Sequence, residues 1–181
     1  MKTTIQLIAA ALLGCFAIAT PSSADVFELR TYTTNEGKLD ALNARFRDHT
    51  VKLFEKHGIE SLGYWVPTDE EKSKNTLIYI IKHKSREAAK ESWKAFGADP
   101  EWKKVAEESQ KDGKILAKGP QSVYMDAADY SPTWENGANA DEKAVFELRI
   151  YKAAEGKLEK LDARFRDHTI NIFARHGMKS V

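Results

Sequence analysis

Cysteine is almost absent from this 181-residue chain: Cys15 is the only one, and it sits inside the first apolar stretch. If that stretch is removed, no thiol remains, which excludes disulfides, cysteine metal sites and thiolate catalysis. An excess of charge of one sign is missing too. Without the first 24 residues, 27 basic side chains face 27 acidic ones, so neither nucleic acid nor an anionic membrane is an expected partner. The chain also lacks a Gly-rich phosphate loop, a nucleophile elbow, a Ser-His-Asp order, and His-x-x-x-His or Glu-x-x-His pairs. No cofactor and no metal are expected.

What is present begins with a leader. Lys2, the apolar run from Ile5 to Ala19 and the small residues Ser22-Ser23-Ala24 form a secretory signal pattern, with cleavage expected between Ala24 and Asp25. A retained anchor would need about 20 unbroken apolar residues. Acylation at Cys15 is the other alternative, although Leu13 fits that pattern poorly and apolar residues continue past the cysteine. The expectation is a secreted or periplasmic protein with no stable membrane insertion after processing.

Past the leader the chain repeats itself. Aligning Val26 with Val145 holds an offset of 119 without a gap through "VFELR", "EGKL", "RFRDHT" and "HG", with about 22 identities in 37 positions. That spacing is too long for solenoid repeats and implies a tandem duplication of a domain. The expected divisions are a signal peptide at 1–24, a domain at 25–126, a linker at 127–144 and an incomplete second copy at 145–181. The second copy has room for the first strand, the first helix and little more; truncation, or completion by another chain, would explain this.

Within the first copy, "VFELRTYT" alternates, with Phe27, Leu29 and Thr31 on one face and Val26, Glu28, Arg30 and Tyr32 on the other. A helix follows, with Asn35 as its expected cap and Gly58 as its left-handed stop. Leu39, Leu42, Phe46, Thr50, Leu53 and His57 make its apolar stripe, and His49 lies on the margin. "IESLGYWV" and "TLIYIIKH" read as strands, with a bulge or close approach at Gly63. Ser85 caps a helix that "GADP" interrupts near Pro100, and "PQSVYMD" supplies the last strand. The order βαββαβ is the ferredoxin-like α+β unit, with both helices on one side and one sheet face uncovered. The uncovered face is expected to be the one carrying Glu28, Arg30 and Tyr32.

These motifs, from "VFELRTYT" and "EGKL" through "RFRDHT" and "LGYWV" to "LIYIIKHKSREAAKESWKAFGADPEWKKV", resemble the NIPSNAP family, within the larger group of dimeric α+β barrels. The resemblance covers the whole first domain and recurs in the second copy. It implies that two units join their open sheet faces to form a barrel. With the second copy incomplete, the expected barrel is a homodimer through the open sheet face.

If that barrel forms, Glu28, Arg30 and Tyr32 line its interior and could fix a polar small molecule or take part in proton transfer. A plain interface ion pair with a hydrogen-bonded phenol is the competing reading. Tyr64 and Tyr79, with Trp65, Trp93, Phe96 and Trp102, could frame an apolar pocket, although aromatics at such spacing are more often core. His49 and His57 are eight residues apart, about 12 Å along a helix, too far to share a metal. His57 suits a helix C-terminus, and His49 is the candidate for a pocket role. The expected function is a secreted binding or interaction module with a small-molecule ligand. The alternative is a small-molecule enzyme of the barrel group, such as a cofactor-independent or haem-linked monooxygenase.

Overall fold

A computed structural model describes residues 25–133 and 144–180. The leader with its cleavage point, and residues 134–143 of the linker, lie outside the described residues. The first copy forms β1 (Val26–Thr33), α1 (Leu39–Arg45), a wide π turn (Phe46–Thr50), α2 (Val51–Lys56), β2 (Glu60–Trp65), β3 (Thr76–His83), α3 (Arg86–Ala98), α4 (Pro100–Glu108) and β4 (Gln121–Asp126). The four strands make one antiparallel sheet in the order β2-β3-β1-β4. This is the ferredoxin-like α+β architecture read from the sequence.

Local chemistry sets most of the boundaries. Gly58 turns at φ 71°, where a side chain would be strained, and so ends the α2 segment. Ser85 Oγ accepts the Ala88 N–H at 3.0 Å to start α3. Asp99 breaks the helix in an extended conformation, and its Oδ1 accepts the Glu101 N–H at 2.8 Å, with Pro100 as the first residue of α4. At Gly63 the pairing of β2 with β3 shifts register, and the Trp65 ring lies directly over the glycine Cα, leaving no room for a Cβ.

Asn35 does not cap α1. It closes a turn with Lys38 and spends its side-chain amide on the Lys114 carbonyl at 2.8 Å, and the helix starts at Leu39 without a side-chain cap. The helix is not regular either, because the π turn sets back its rotation. Leu39 and Leu42 before the turn, Phe46 and Thr50 at its two ends, and Leu53 and Phe54 after it are all buried, whereas His49 is exposed.

The core lies between the helices and one face of the sheet. Phe54 is its hub, with ring centroids 5.0 Å from Phe96, 5.4 Å from Trp93, 6.0 Å from Phe46 and 6.1 Å from Tyr79. Ile115, from the loop before β4, completes this core, held there as Asn35 N–H donates to its carbonyl at 2.8 Å.

The two faces of β1 are the reverse of the expectation. Glu28, Arg30 and Tyr32 face the helices, and Phe27, Leu29 and Thr31 face the uncovered side. The pairing fixes this: Arg30 stands opposite Tyr79 and Glu28 opposite Tyr124, on the face that carries the aromatic core.

In the second copy α5 (Leu158–Arg164), a π turn (Phe165–Thr169) and α6 (Ile170–Arg175) recur 119 residues after their counterparts. Residues 145–151 form no strand, although their sequence nearly duplicates β1. The first β1 is held by strands on both sides; among the described residues none pairs with 145–151.

Candidate functional site

Glu28 is fully buried, and four donors converge on its carboxylate. Oε1 accepts from Arg30 Nη1 at 2.9 Å and from Ser122 Oγ. Oε2 accepts from Trp93 Nε1 at 2.8 Å and faces His83 Nε2 at 3.1 Å. Strand alternation delivers Glu28 and Arg30 from β1, His83 from β3 and Ser122 from β4 to one spot, and Trp93 reaches down from α3. Burial alone would raise the Glu28 pKa, but the hydrogen bonds from His83, Ser122 and Trp93, with the Arg30 charge, outweigh it and hold the value at about 2. Glu28 is therefore a permanent anion near neutral pH, with its lone pairs taken.

Arg30 extends the cluster towards the core. Its guanidinium lies 4.6 Å from the Trp93 ring centroid, and Nη2 donates to the Tyr32 hydroxyl at 3.3 Å. The Tyr79 hydroxyl donates to Tyr32 at 3.2 Å. Burial, reinforced by Tyr32, pushes the Tyr79 pKa well up, and burial pushes Tyr64 to about 12. Tyr64 stacks on Tyr79 with centroids 5.3 Å apart and bonds Ser61 at 2.7 Å.

The structure thus brings together Glu28, Arg30, Tyr32 and Tyr79, with Tyr64 joined through its stack, and leaves His49 apart on the exposed side of the π turn. The assembled residues lie between sheet and helices, not on the open face. Glu28 and Arg30 are accommodated on the covered face because His83, Trp93, Ser122 and Tyr32 hydrogen-bond to them there. His83 was missed, yet it follows Tyr79 and Ile81 by strict alternation along β3. Ser122 and Tyr124 could have been found the same way on β4.

A second buried guanidinium, Arg45, bonds Ser109 Oγ at 3.4 Å at the C-terminal end of α4 and lies over Trp102 at 5.4 Å. Burial lowers its pKa, and no carboxylate lies within ion-pair distance among the described residues. His57 sits where the sequence placed it, at the end of α2, with Nε2 2.7 Å from Asp99 Oδ2; Lys56 Nζ reaches the same oxygen at 2.8 Å.

Outside the cluster, Arg86, Glu87, Lys90, Trp93 and Tyr124 line a cleft of about 560 Å³. Trp93 is shared: its indole nitrogen is bound inward to Glu28 while its ring walls the cleft.

Solved structures share this architecture. An uncharacterized NIPSNAP-like domain protein from Burkholderia xenovorans is similar with a TM-score of 0.54 and 14% identity, over 63% of this chain and 94% of that one. A NIPSNAP family protein from Agrobacterium tumefaciens is similar at 0.51 and 24%, over 61% and 94%. A monooxygenase from Streptomyces coelicolor is similar at only 0.43 and 18%, over 59% and 89%, too distant to carry an argument about this chain. No curated protein matches. The NIPSNAP family model matches residues 27–136, well over half of the chain, and with the fold in agreement the protein belongs to the NIPSNAP family.

Proposed function

We propose that the protein is a binding and assembly module that works after export, joining the uncovered face of its sheet to the same face of a second copy. One observation carries the reading: the sheet face away from α1–α4 is apolar across the sheet, with Phe27, Leu29, Ile78, Ile80, Val123 and Met125 in adjoining register positions, Leu29 buried at its centre and the others half-buried or exposed. None of α1–α4 lies on that side. Val123, near the free edge, is 55% exposed, and Trp65 at the other edge is touched by Phe146 of the second copy, with centroids 5.7 Å apart. An apolar sheet face of this extent is stabilised by covering it.

Export is supported by the leader pattern, and no helix among the described residues is long and apolar enough to cross a membrane. The recurrence of helix, π turn and helix 119 residues on supports the tandem origin of residues 145–180. The enzyme reading needs a group that exchanges a proton near neutral pH. Glu28, saturated and held near 2, and Tyr79, pushed up by burial, are poorly matched to that task.

Native mass spectrometry of the chain from Asp25 onward tests the assembly. A dimer that Val123→Lys converts to monomer is the expected result. A wild-type monomer at micromolar concentration would overturn the proposal.

A further inference from the structure

We propose that the cleft between the start of α3 and β4 binds a planar aromatic carboxylate. Arg86, Lys90 and Trp93 follow one another at i, i+4 and i+7, so a single stripe of α3 presents two cations and an indole to Tyr124 across the cleft. The cleft, about 560 Å³ and open to solvent, has room for a ligand of one or two fused rings. Trp93 and Tyr124 offer half-buried aromatic walls. The Arg86 guanidinium lies 3.3 Å from the centre of the Tyr124 ring, so it already covers that wall and is held in place there, and the Trp93 ring is the aromatic wall that a ligand bound to Arg86 would meet.

Charge selects the ligand's sign. Among the described residues, neither Arg86 nor Lys90 is within ion-pair distance of a carboxylate, and Glu87 is the one acid in the lining. Two cations against one acid leave a single positive charge, which matches a monoanion better than a dianionic phosphate. A carboxylate also fits the planar fork of Arg86.

The walls are fixed in advance. Turning Trp93 away would strip its N–H from the buried Glu28 carboxylate and remove the ring from Arg30, so the indole is locked from behind. Tyr124 is likewise set against His83, with ring centroids 6.4 Å apart. The buried cluster, which is a poor catalyst, thereby acts as the rigid backing of a binding surface. The cleft opens on the helix-bearing side of the sheet, so the inference does not depend on how copies assemble.

Isothermal titration calorimetry of the processed chain with 2-naphthoate tests this, using 2-naphthylmethanol and 2-naphthylmethylammonium as neutral and cationic controls. Naphthoate should bind once per chain and be preferred to both controls. Arg86→Gln and Lys90→Gln, both exposed and expected to fold normally, should each weaken binding by about tenfold or more, and Glu87→Gln should not weaken it. Absence of naphthoate binding up to millimolar concentration, equal binding of the alcohol, or full affinity in both cation variants would each overturn the proposal. A monomer that binds naphthoate would sustain it while removing the assembly proposed above.

Discussion

At the scale of single residues, Glu28 shows how a charge can be part of a core. Removing it leaves the half-buried Arg30 without its counter-charge, so Glu28→Gln is expected to cost about 3 kcal/mol at neutral pH, read from urea unfolding. Its lowered pKa adds a pH signature. The unfolded carboxyl titrates near 4.5 and the folded one near 2, so the contribution is complete above about pH 4.5 and fades as pH falls towards 2. The wild type should lose stability steeply across that window, and the Gln variant should lose less. Phe54→Ala, which empties the hub of the aromatic core, should cost about 3–5 kcal/mol in the same measurement. These buried partnerships were the least legible part of the site. Alternation told which residues share a face of β1, but a strand with one apolar and one mixed face does not say which is covered. The answer lay in His83, Trp93 and Ser122, 55, 65 and 94 residues away.

At the scale of elements, the strands, the capped start of α3 and the break before α4 were legible because β-branched alternation, Ser85 and Pro100 act locally, whereas the Asp99 cap of α4 emerged only from the structure. The π turn was not, because a stripe at 100° per residue runs through it without a visible break. That regular spacing brings His49 towards the apolar side and turns Phe54 off it; the wide turn reverses both. Such a turn is one residue longer than an α turn. Deleting the exposed His49 should therefore restore a regular helix and still deliver Phe54 to the core, and the deletion variant is expected to unfold cooperatively, with Phe54 buried in its structure. His49→Ala should change stability by no more than about 0.5 kcal/mol and leave naphthoate binding untouched. The end of α2 makes a separate pH prediction. Hydrogen bonds from Lys56 and His57 hold the Asp99 carboxyl well below the usual range, so that clasp stabilises the fold at neutral pH and weakens in acid. Asp99→Asn keeps an oxygen for the Glu101 N–H and should be less destabilised than Asp99→Ala.

At the scale of the whole molecule, the two copies differ in what they cover. Val26 and Leu39 are 5% and 8% exposed, and their counterparts Val145 and Leu158 are 89% and 61% exposed. The second copy therefore displays the apolar side chains that the first copy buries, a surface that favours association. A chain with Ile150→Lys and Leu158→Lys should bind less of a hydrophobic dye such as ANS, with the melting of the first domain unchanged. The repeat of sequence is legible from identities alone. The absence of a strand at 145–151 was not, because a strand needs neighbours that its own sequence does not contain.

The wiring of Glu28 also has a consequence in time. Its partners arrive in the order Arg30, His83, Trp93 and Ser122, and β1 is enclosed on its second side only when β4 docks. A chain still emerging from a ribosome, or threading a narrow channel, has an early strand whose carboxylate cannot yet be buried at an acceptable cost. The cluster therefore closes only when almost the entire domain is present, and β1 is expected to gain its full hydrogen-exchange protection together with β4 rather than before it.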